Sequence, residues 1–142
     1  MNKLFLIFFS LLLSCGLTKK ANTLEKEPII SLQRTACFGS CPIYKIEIFS
    51  NGNGIYTGTK FVEHIGVTQF SLSKTEINLI LKRAEDINFA NMKNEYSEPI
   101  SDLPTTFIQI RSKKIRDYTG APKALKDLEN LIDQLYQKTI KE

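Results

Sequence analysis

Two cysteines four positions apart, Cys37 and Cys41, constrain the fold more than any other feature of the chain. In a straight β-strand, residues four apart lie ~13 Å from each other, whereas a disulfide requires Cα atoms within ~7 Å. A bond between these cysteines therefore forces the backbone to turn between them, and Gly39 and Pro42 make a turn easy. A loop this short would stabilise the fold by only about 2 kcal/mol through chain entropy.

The chemistry of this cysteine pair stays open at the level of the sequence. One interpretation is a structural disulfide that closes a tight loop in an oxidising compartment, where disulfides persist. A redox-active pair would need a depressed thiolate pKa, helped by a helix N-terminus or by cations such as the nearby Arg34 and Lys45. The usual redox spacing, however, has two residues between the cysteines and not three. A metal site would need further ligands that are not evident, and two free thiols are the remaining alternative.

The composition favours one compact globular domain. The chain has 142 residues, of which 42% are hydrophobic and 24% are charged, an ordinary balance for such a domain. A net charge of +4 without a basic block gives little support to a nucleic-acid partner. Three cysteines and one histidine are too few for a zinc cluster. We therefore expect no metal, no cofactor and no nucleic acid.

The first residues have the pattern of an export signal. Lys3 gives a basic start, and residues 4–13 are almost wholly apolar. This run is too short for a membrane-spanning helix, which needs ~20 apolar residues, but it suits the apolar region of a secretory signal peptide. We therefore expect residues 1–14 to be a signal peptide that is removed from the mature chain.

The end of that run resembles the lipobox of bacterial lipoproteins: an aliphatic residue and a small residue come before Cys15, which would receive the lipid. Acyl chains such as palmitate then hold a protein at the membrane, since each buried CH₂ contributes about 0.8 kcal/mol. The alternatives are an uncleaved signal anchor, or a plain signal peptide beside which Cys15 is incidental.

Residues 15–28 show no sustained periodicity, which indicates that the lipidated cysteine is followed by a flexible tether. In some Bacteroidetes-like lipoproteins, acidic residues just after the cysteine direct export to the outer face. Lys19 and Lys20 stand in that region instead. The resemblance therefore implies an outer-membrane lipoprotein whose domain faces the periplasm.

The globular part, residues 29–142, alternates strand signals with turns. Tyr44, Ile46 and Ile48 alternate with polar residues, which is the period of a half-buried strand. Residues 51–54, Asn-Gly-Asn-Gly, form a strong hairpin signal. Further strands are expected at residues 29–32, 55–58 and 61–70, and a second hairpin at residues 106–118 turns at 112–114.

Two helices complete the predicted fold. Ser73 and Glu76 match a capping box at the start of the first helix, and the second is expected from Pro122 to about Lys138, with a charged outer face that includes Asp127, Glu129 and Asp133. The prediction is an α+β domain: a single antiparallel sheet built from a meander and a second hairpin, with two helices packed on one face.

The loops hold the remaining candidates for a binding site. Residues 94–104 contain two prolines and several polar side chains, so a loop without regular structure is expected there. Loops carry function more often than helices and strands do, so Tyr96, Asp102 and Thr105, together with Phe38 of the cysteine loop, are the predicted binding residues. The alternative is a purely structural role, in which Asp102 only caps the turn before a proline. The single histidine, His64, is expected to be a surface residue.

The segment Thr-x-Cys-Phe-Gly-x-Cys-Pro-x-Tyr at residues 35–44, followed by an alternating strand and a glycine turn, resembles a bacterial family of exported domains of unknown function. Its members are often small lipoproteins of Bacteroidetes-type bacteria. The resemblance continues through Asp-Leu-Pro-Thr at residues 102–105 and Asp-Tyr-Thr-Gly-Ala-Pro at residues 117–122, and covers roughly residues 29–135. It implies a class of protein without a known activity.

The sequence thus favours a non-enzymatic, lipid-anchored module of the cell envelope that binds a protein or an envelope polymer. A thiol–disulfide redox protein that uses Cys37 and Cys41 is the alternative. Binding of a small ligand between the cysteine loop and the Asp102 loop is a third hypothesis, and it requires these two loops to be neighbours.

Overall fold

The structure is a computed structural model that describes residues 27–100 and 102–141. The predicted signal peptide, the lipidation site Cys15 and all but the end of the predicted tether lie outside the described residues. In the part of the chain that is described, no helix has the length and apolar character needed to cross a membrane.

The described residues contain seven β-strands, two α-helices and one short 3₁₀ turn at Phe89–Asn91. The strands are β1 (Ile30–Arg34), β2 (Ile43–Ile48), β3 (Asn53–Lys60), β4 (Gly66–Ser71), β5 (Glu95–Tyr96), β6 (Thr106–Ile110) and β7 (Lys113–Asp117), and the helices are α1 (Lys74–Asp86) and α2 (Lys123–Thr139).

All seven strands form one sheet in the order β4-β3-β2-β1-β6-β7-β5. The first four strands are the predicted meander, and the predicted second hairpin, β6–β7, joins it through an antiparallel pairing of β6 with β1. The α+β class is therefore confirmed.

The expectation of a purely antiparallel sheet was wrong, because β5 pairs with β7 in parallel. The segment that was expected to be irregular contributes this strand: the amide of Arg116 donates to the carbonyl of Asn94 at 2.8 Å, and the amide of Tyr118 donates to that of Tyr96 at 2.9 Å. A two-residue strand is specified by the neighbour it meets and has too few residues to show a period of its own. The sheet is consequently mixed.

One face of the sheet carries the core, and we call it the helix face. Leu32 in the central strand lies opposite Ile46 on one side and Ile108 on the other, and all three are buried. These side chains share a hydrophobic cluster with the buried residues of both helices. The opposite face, which we call the open face, carries half-buried and exposed residues such as Gln33 and Gln69.

The first helix begins as the sequence predicts. The Ser73 hydroxyl accepts a hydrogen bond from the amide of Glu76, and the Glu76 carboxylate accepts one from the amide of Ser73. Ile77, Ile80 and Ala84 then face the core.

The second helix crosses the sheet near the ends of the strands. Its contacts run from Lys126, which pairs with Asp117 at the end of β7, to Tyr136, whose ring lies 4.3 Å from that of Tyr56 in β3 and 5.2 Å from that of Phe70 in β4. This path brings the acidic residues of α2 over the ends of β7, β1 and β2, where the candidate site lies.

Candidate binding site at the disulfide end of the sheet

Residues 35–42 connect β1 to β2 and contain a disulfide between Cys37 and Cys41, whose Cα atoms are 5.7 Å apart. The amide of Gly39 donates to the carbonyl of Cys37 at 2.9 Å inside this small ring. We call residues 35–42 the disulfide loop and this end of the sheet the disulfide end. The loop presents Phe38 to solvent with 90% of its surface exposed.

One carboxylate, that of Asp133, binds Arg34, just before the disulfide loop, and Tyr44, two residues after it, and we call this contact the Asp133 clamp. Arg34, the last residue of β1, lies opposite Tyr44 of β2 in the strand register. The Arg34 guanidinium donates to Asp133 Oδ2 at 2.6 Å through Nη2, and the Tyr44 hydroxyl donates to Asp133 Oδ1 at 2.7 Å. Arg34 Nε also donates to the Tyr44 oxygen at 2.8 Å, and Nη1 donates to Thr106 at 3.0 Å. Both ends of the loop are thus tied to α2.

The environment of this clamp shifts the pKa values of its members. Burial alone lowers the pKa of Arg34, but the neighbouring Asp133 carboxylate outweighs that effect and the pKa rises, so the guanidinium stays charged. Burial and the same carboxylate raise the pKa of Tyr44, which therefore remains a neutral donor. The clamp is a charged hydrogen-bonded pair supported by a neutral phenol, and charge-assisted bonds of this kind are the stronger ones in proteins.

A second layer of charge lies beneath the clamp. Asp117, at the end of β7, has no exposed surface, and Glu129 of α2 is 1% exposed. Lys126 forms an ion pair with Asp117, and Arg34 Nη1 lies 3.7 Å from Glu129 Oε2. The pKa of Glu129 is raised to about 8: burial is the largest cause and Asp117 adds to it, while Lys126 and Arg34 act in the opposite direction.

A proton on Glu129 would allow these two buried acids to form a hydrogen bond with each other. Asp117 Oδ1 and Glu129 Oε1 are buried without a hydrogen-bond partner, which would be a costly arrangement if both acids were ionised. With its raised pKa, Glu129 is neutral at pH 7, and its carboxyl group can donate to the Asp117 carboxylate.

The prediction that Glu129 and Asp133 belong to a solvated face of the last helix was wrong. Glu129 is buried and Asp133 is half-buried, whereas Asp127 stays near the surface in an ion pair with Lys123. Glu129 follows Leu125 by four residues and precedes Tyr136 by seven, and both spacings place it on the buried side of a helix. This spacing is the sequence signal that could have identified Glu129 as buried. For Arg34 and Tyr44, the only signal is their position beside the cysteine loop.

The predicted binding residues are only partly brought together. Thr105 contacts the disulfide loop directly: its amide donates to the Thr35 hydroxyl at 3.0 Å, and its carbonyl accepts from the Thr35 amide at 3.0 Å. The loop that carries Asp102 is therefore a neighbour of the disulfide loop, as the small-ligand hypothesis requires. Tyr96 lies in β5, three strands away from β1, which corresponds to ~14 Å. Asp102 is exposed, with a left-handed φ of 72°.

A cavity of about 270 Å³ lies on the other side of the disulfide loop. Its floor is formed by Tyr44 and Tyr56, whose rings are 5.7 Å apart, together with Tyr136. Residues 61–63 of the β3–β4 loop close one wall, and Pro42 of the disulfide loop closes another. Burial raises the pKa of Tyr136 to about 12, so its phenol is neutral at pH 7, and Glu63, Asp133 and Gln137 add polar groups to the lining.

In the described part of the chain, no group of three or more His, Cys, Asp or Glu side chains is placed to hold a metal ion. His64 is exposed, as expected from the sequence.

The fold and this site define a class of protein: a small α+β domain in which a helix laid across a mixed sheet clamps a disulfide-closed loop. The family described as "Domain of unknown function (DUF6438)" matches residues 28–136, and the chain belongs to that family. A search of curated proteins and a search of solved structures gave no match.

Proposed function

We propose that this protein is a non-enzymatic binding module of the bacterial cell envelope, and that it engages another envelope protein through the disulfide end of its sheet. The observation that carries the proposal is where large apolar side chains are exposed. Five of the eight such side chains in the described residues lie on three loops at this end: Phe38, Phe61, Ile65, Ile100 and Leu103. Single exposed apolar residues are ordinary on a protein surface, but their concentration is typical of an interaction site.

The three loops belong to one end because of the strand register. The disulfide loop follows Arg34, and Thr105, which ends the Asp102 loop, is hydrogen-bonded to Thr35. The β3–β4 loop begins after Lys60, which lies opposite Ile43, the residue that follows the disulfide loop. A partner that covers the disulfide loop can therefore contact all three.

Rigidity supports a role for Phe38 as the anchor of this surface. The disulfide closes the loop, and the Asp133 clamp holds its two ends. A loop whose backbone is already held in place loses less conformational entropy on binding, and aromatic anchors that become buried dominate the energetics of many interfaces.

The residues before the domain support the location that we propose for the module. The basic start, the apolar run and the lipobox-like end at Cys15 support a lipid anchor, and Lys19 and Lys20 support an outer-membrane position facing the periplasm. Mass spectrometry of the full chain tests the anchor. We expect acyl chains on Cys15 and loss of membrane association in Cys15→Ser, and an unmodified N-terminus would contradict it.

The binding proposal is tested by capture from detergent extracts with the full chain as bait. We expect Phe38→Ala to lose a partner that the parent chain retains, because it removes the most exposed apolar group of the site. Leu79→Ala is the matched control, since Leu79 is also exposed but lies on α1. Equal capture by both variants, or no capture above background by the parent chain, would contradict the proposal.

A thiol–disulfide redox function is the second candidate, and one observation favours it: both cysteines are only half-buried, so a partner thiol can reach the bond. Two others oppose it, because the disulfide loop joins two strands without a helix N-terminus, and the neighbouring Arg34 is already paired with Asp133. A redox titration separates the candidates. A bond that resists reduction below about −300 mV is structural, whereas one reduced above about −270 mV, with one cysteine alkylated faster, would favour the redox function.

A further inference from the structure

We propose that β4 is a self-association edge, at which a second copy of this chain adds its own β4 in antiparallel orientation. This interface is separate from the disulfide loop, so it does not depend on the function proposed above.

The first step is the hydrogen-bonding state of the edge. β4 is the outermost strand on its side of the sheet, and no other strand of residues 27–100 and 102–141 pairs with its outer side. The amide of Leu72 donates to Gly52 just beyond the β3–β4 ladder, so even-numbered residues of β4 point their backbone groups at β3. Along an antiparallel strand, the direction of the backbone N–H and C=O groups alternates from one residue to the next. Val67, Gln69 and Ser71 therefore direct three N–H and three C=O groups outward.

The second step is that the β4 edge lacks the features that keep an edge strand from pairing with another chain. β4 has the sequence Gly-Val-Thr-Gln-Phe-Ser, without a charge or a proline, and its pairing with β3 runs without a bulge. Charges, prolines and bulges are the devices that natural proteins use to keep edge strands from pairing. The opposite edge has such devices: β5 is two residues long and carries Glu95, which pairs with Arg116 at 2.5 Å.

The third step is self-complementarity. In a two-fold antiparallel pair that keeps the helix faces of both copies on one side, Gln69 lies opposite Gln69 of the second copy, and Val67 lies opposite Ser71. This register satisfies all three outward N–H groups and all three outward C=O groups of each strand with the same groups of the other. A register shifted so that Thr68 meets Thr68 would use only Val67 and Gln69. With no charge in β4, no like charges oppose each other at the axis.

The side chains on the helix face support the same arrangement. A groove of about 460 Å³ runs beside the β4 edge and is lined by Thr68, Phe70, Thr139 and Ile140, among others. In the proposed register Phe70 of one copy lies opposite Thr68 of the other. The Phe70 ring is buried over Gly54 and against Tyr136 of its own copy, so a second copy at this edge would cover the half-buried Thr68, Thr139 and Ile140 of the groove.

The test is site-specific cross-linking of the full chain. Directly opposed residues of a hydrogen-bonded antiparallel pair have Cα atoms ~5.5 Å apart, which is within the range of a disulfide. We expect Gln69→Cys to give a species of twice the chain mass on a nonreducing gel after mild oxidation. Gln33→Cys, which is also exposed on the open face but lies in the central strand β1, should remain at the level of the parent chain.

A second variant measures the association itself. Gln69→Lys would place two like charges opposite each other at the axis, so we expect the dissociation constant of the dimer to rise at least tenfold by sedimentation equilibrium, with Gln33→Lys unchanged. The proposal is overturned if the parent chain sediments as a monomer at about 100 µM and Gln69→Cys cross-links no more than Gln33→Cys. It is also overturned if Gln69→Cys cross-links to a different protein, because the edge then accepts a foreign strand.

Discussion

Glu129→Gln should stabilise the domain, and the stabilisation should grow as the pH rises. Glu129 is 1% exposed, and burial raises its pKa to about 8 from an ordinary value of 4.5. Between these two values the folded state keeps a proton that the unfolded state has released, so the unfolding free energy falls with increasing pH by up to ~1.4 kcal/mol per unit. Glutamine has the shape of the neutral acid and can still donate to Asp117, but it has no proton to lose.

The expected magnitude follows from this difference. At pH 5.5 the variant and the parent should be closer in stability, and the gap should widen by up to about 2.7 kcal/mol by pH 7.5. Urea unfolding followed by circular dichroism at pH 5.5, 6.5 and 7.5 measures it. Asp127→Asn is the matched control on the same helix, because its carboxylate lies near the surface beside Lys123, and we expect its difference from the parent to stay constant. Parallel pH dependences for the parent and Glu129→Gln would show that Glu129 is already ionised in the folded protein and would refute the reasoning.

Three further predictions concern the disulfide end. Asp133→Ala should destabilise the domain by about 1.5–3 kcal/mol, since the half-buried Arg34 guanidinium and the Tyr44 hydroxyl lose the charged carboxylate that accepts their hydrogen bonds; urea unfolding measures this, and a loss below about 1 kcal/mol would mean that solvent replaces the clamp. The double variant Cys37→Ser/Cys41→Ser should cost only about 2 kcal/mol, because the closed loop is short; failure to fold would instead assign the disulfide a larger role. Gly58→Ala should lower the thermal midpoint, because its added Cβ would overlap a backbone carbonyl oxygen of the β3–β4 loop, at a cost of about 1–3 kcal/mol; an unchanged midpoint would show that this loop moves freely.

Much of the fold could be predicted because it is encoded locally. The capping box at Ser73 and Glu76 forms as expected, since its two hydrogen bonds join residues three apart. The alternation of Tyr44, Ile46 and Ile48 predicts β2 correctly. The turn that follows lies at residues 49–52, two residues before the predicted 51–54, because Asn53 and Gly54 already belong to β3.

Less of the candidate site could be predicted from the sequence. Phe38 and the cysteines were identified because their residue types are distinctive at that spacing. The sequence predicts a solvent-exposed position for the acids of α2 because charged residues are seldom fully buried unless they are paired, and their partners, Arg34, Tyr44 and Asp117, are distant in the sequence.

The sequence by itself determined the α+β class, the position of the disulfide loop and the start of α1, because periodicity, turn residues and caps act between residues that are close along the chain. Only the tertiary structure decided that β5 pairs in parallel with β7, that α2 crosses the strand ends, and that β4 is left as an unprotected edge. The physical reason is that these features depend on contacts between helices and strands that are distant in the sequence. Asp133 is an ordinary helical acid until the fold places it between Arg34 and Tyr44, almost a hundred residues earlier in the chain.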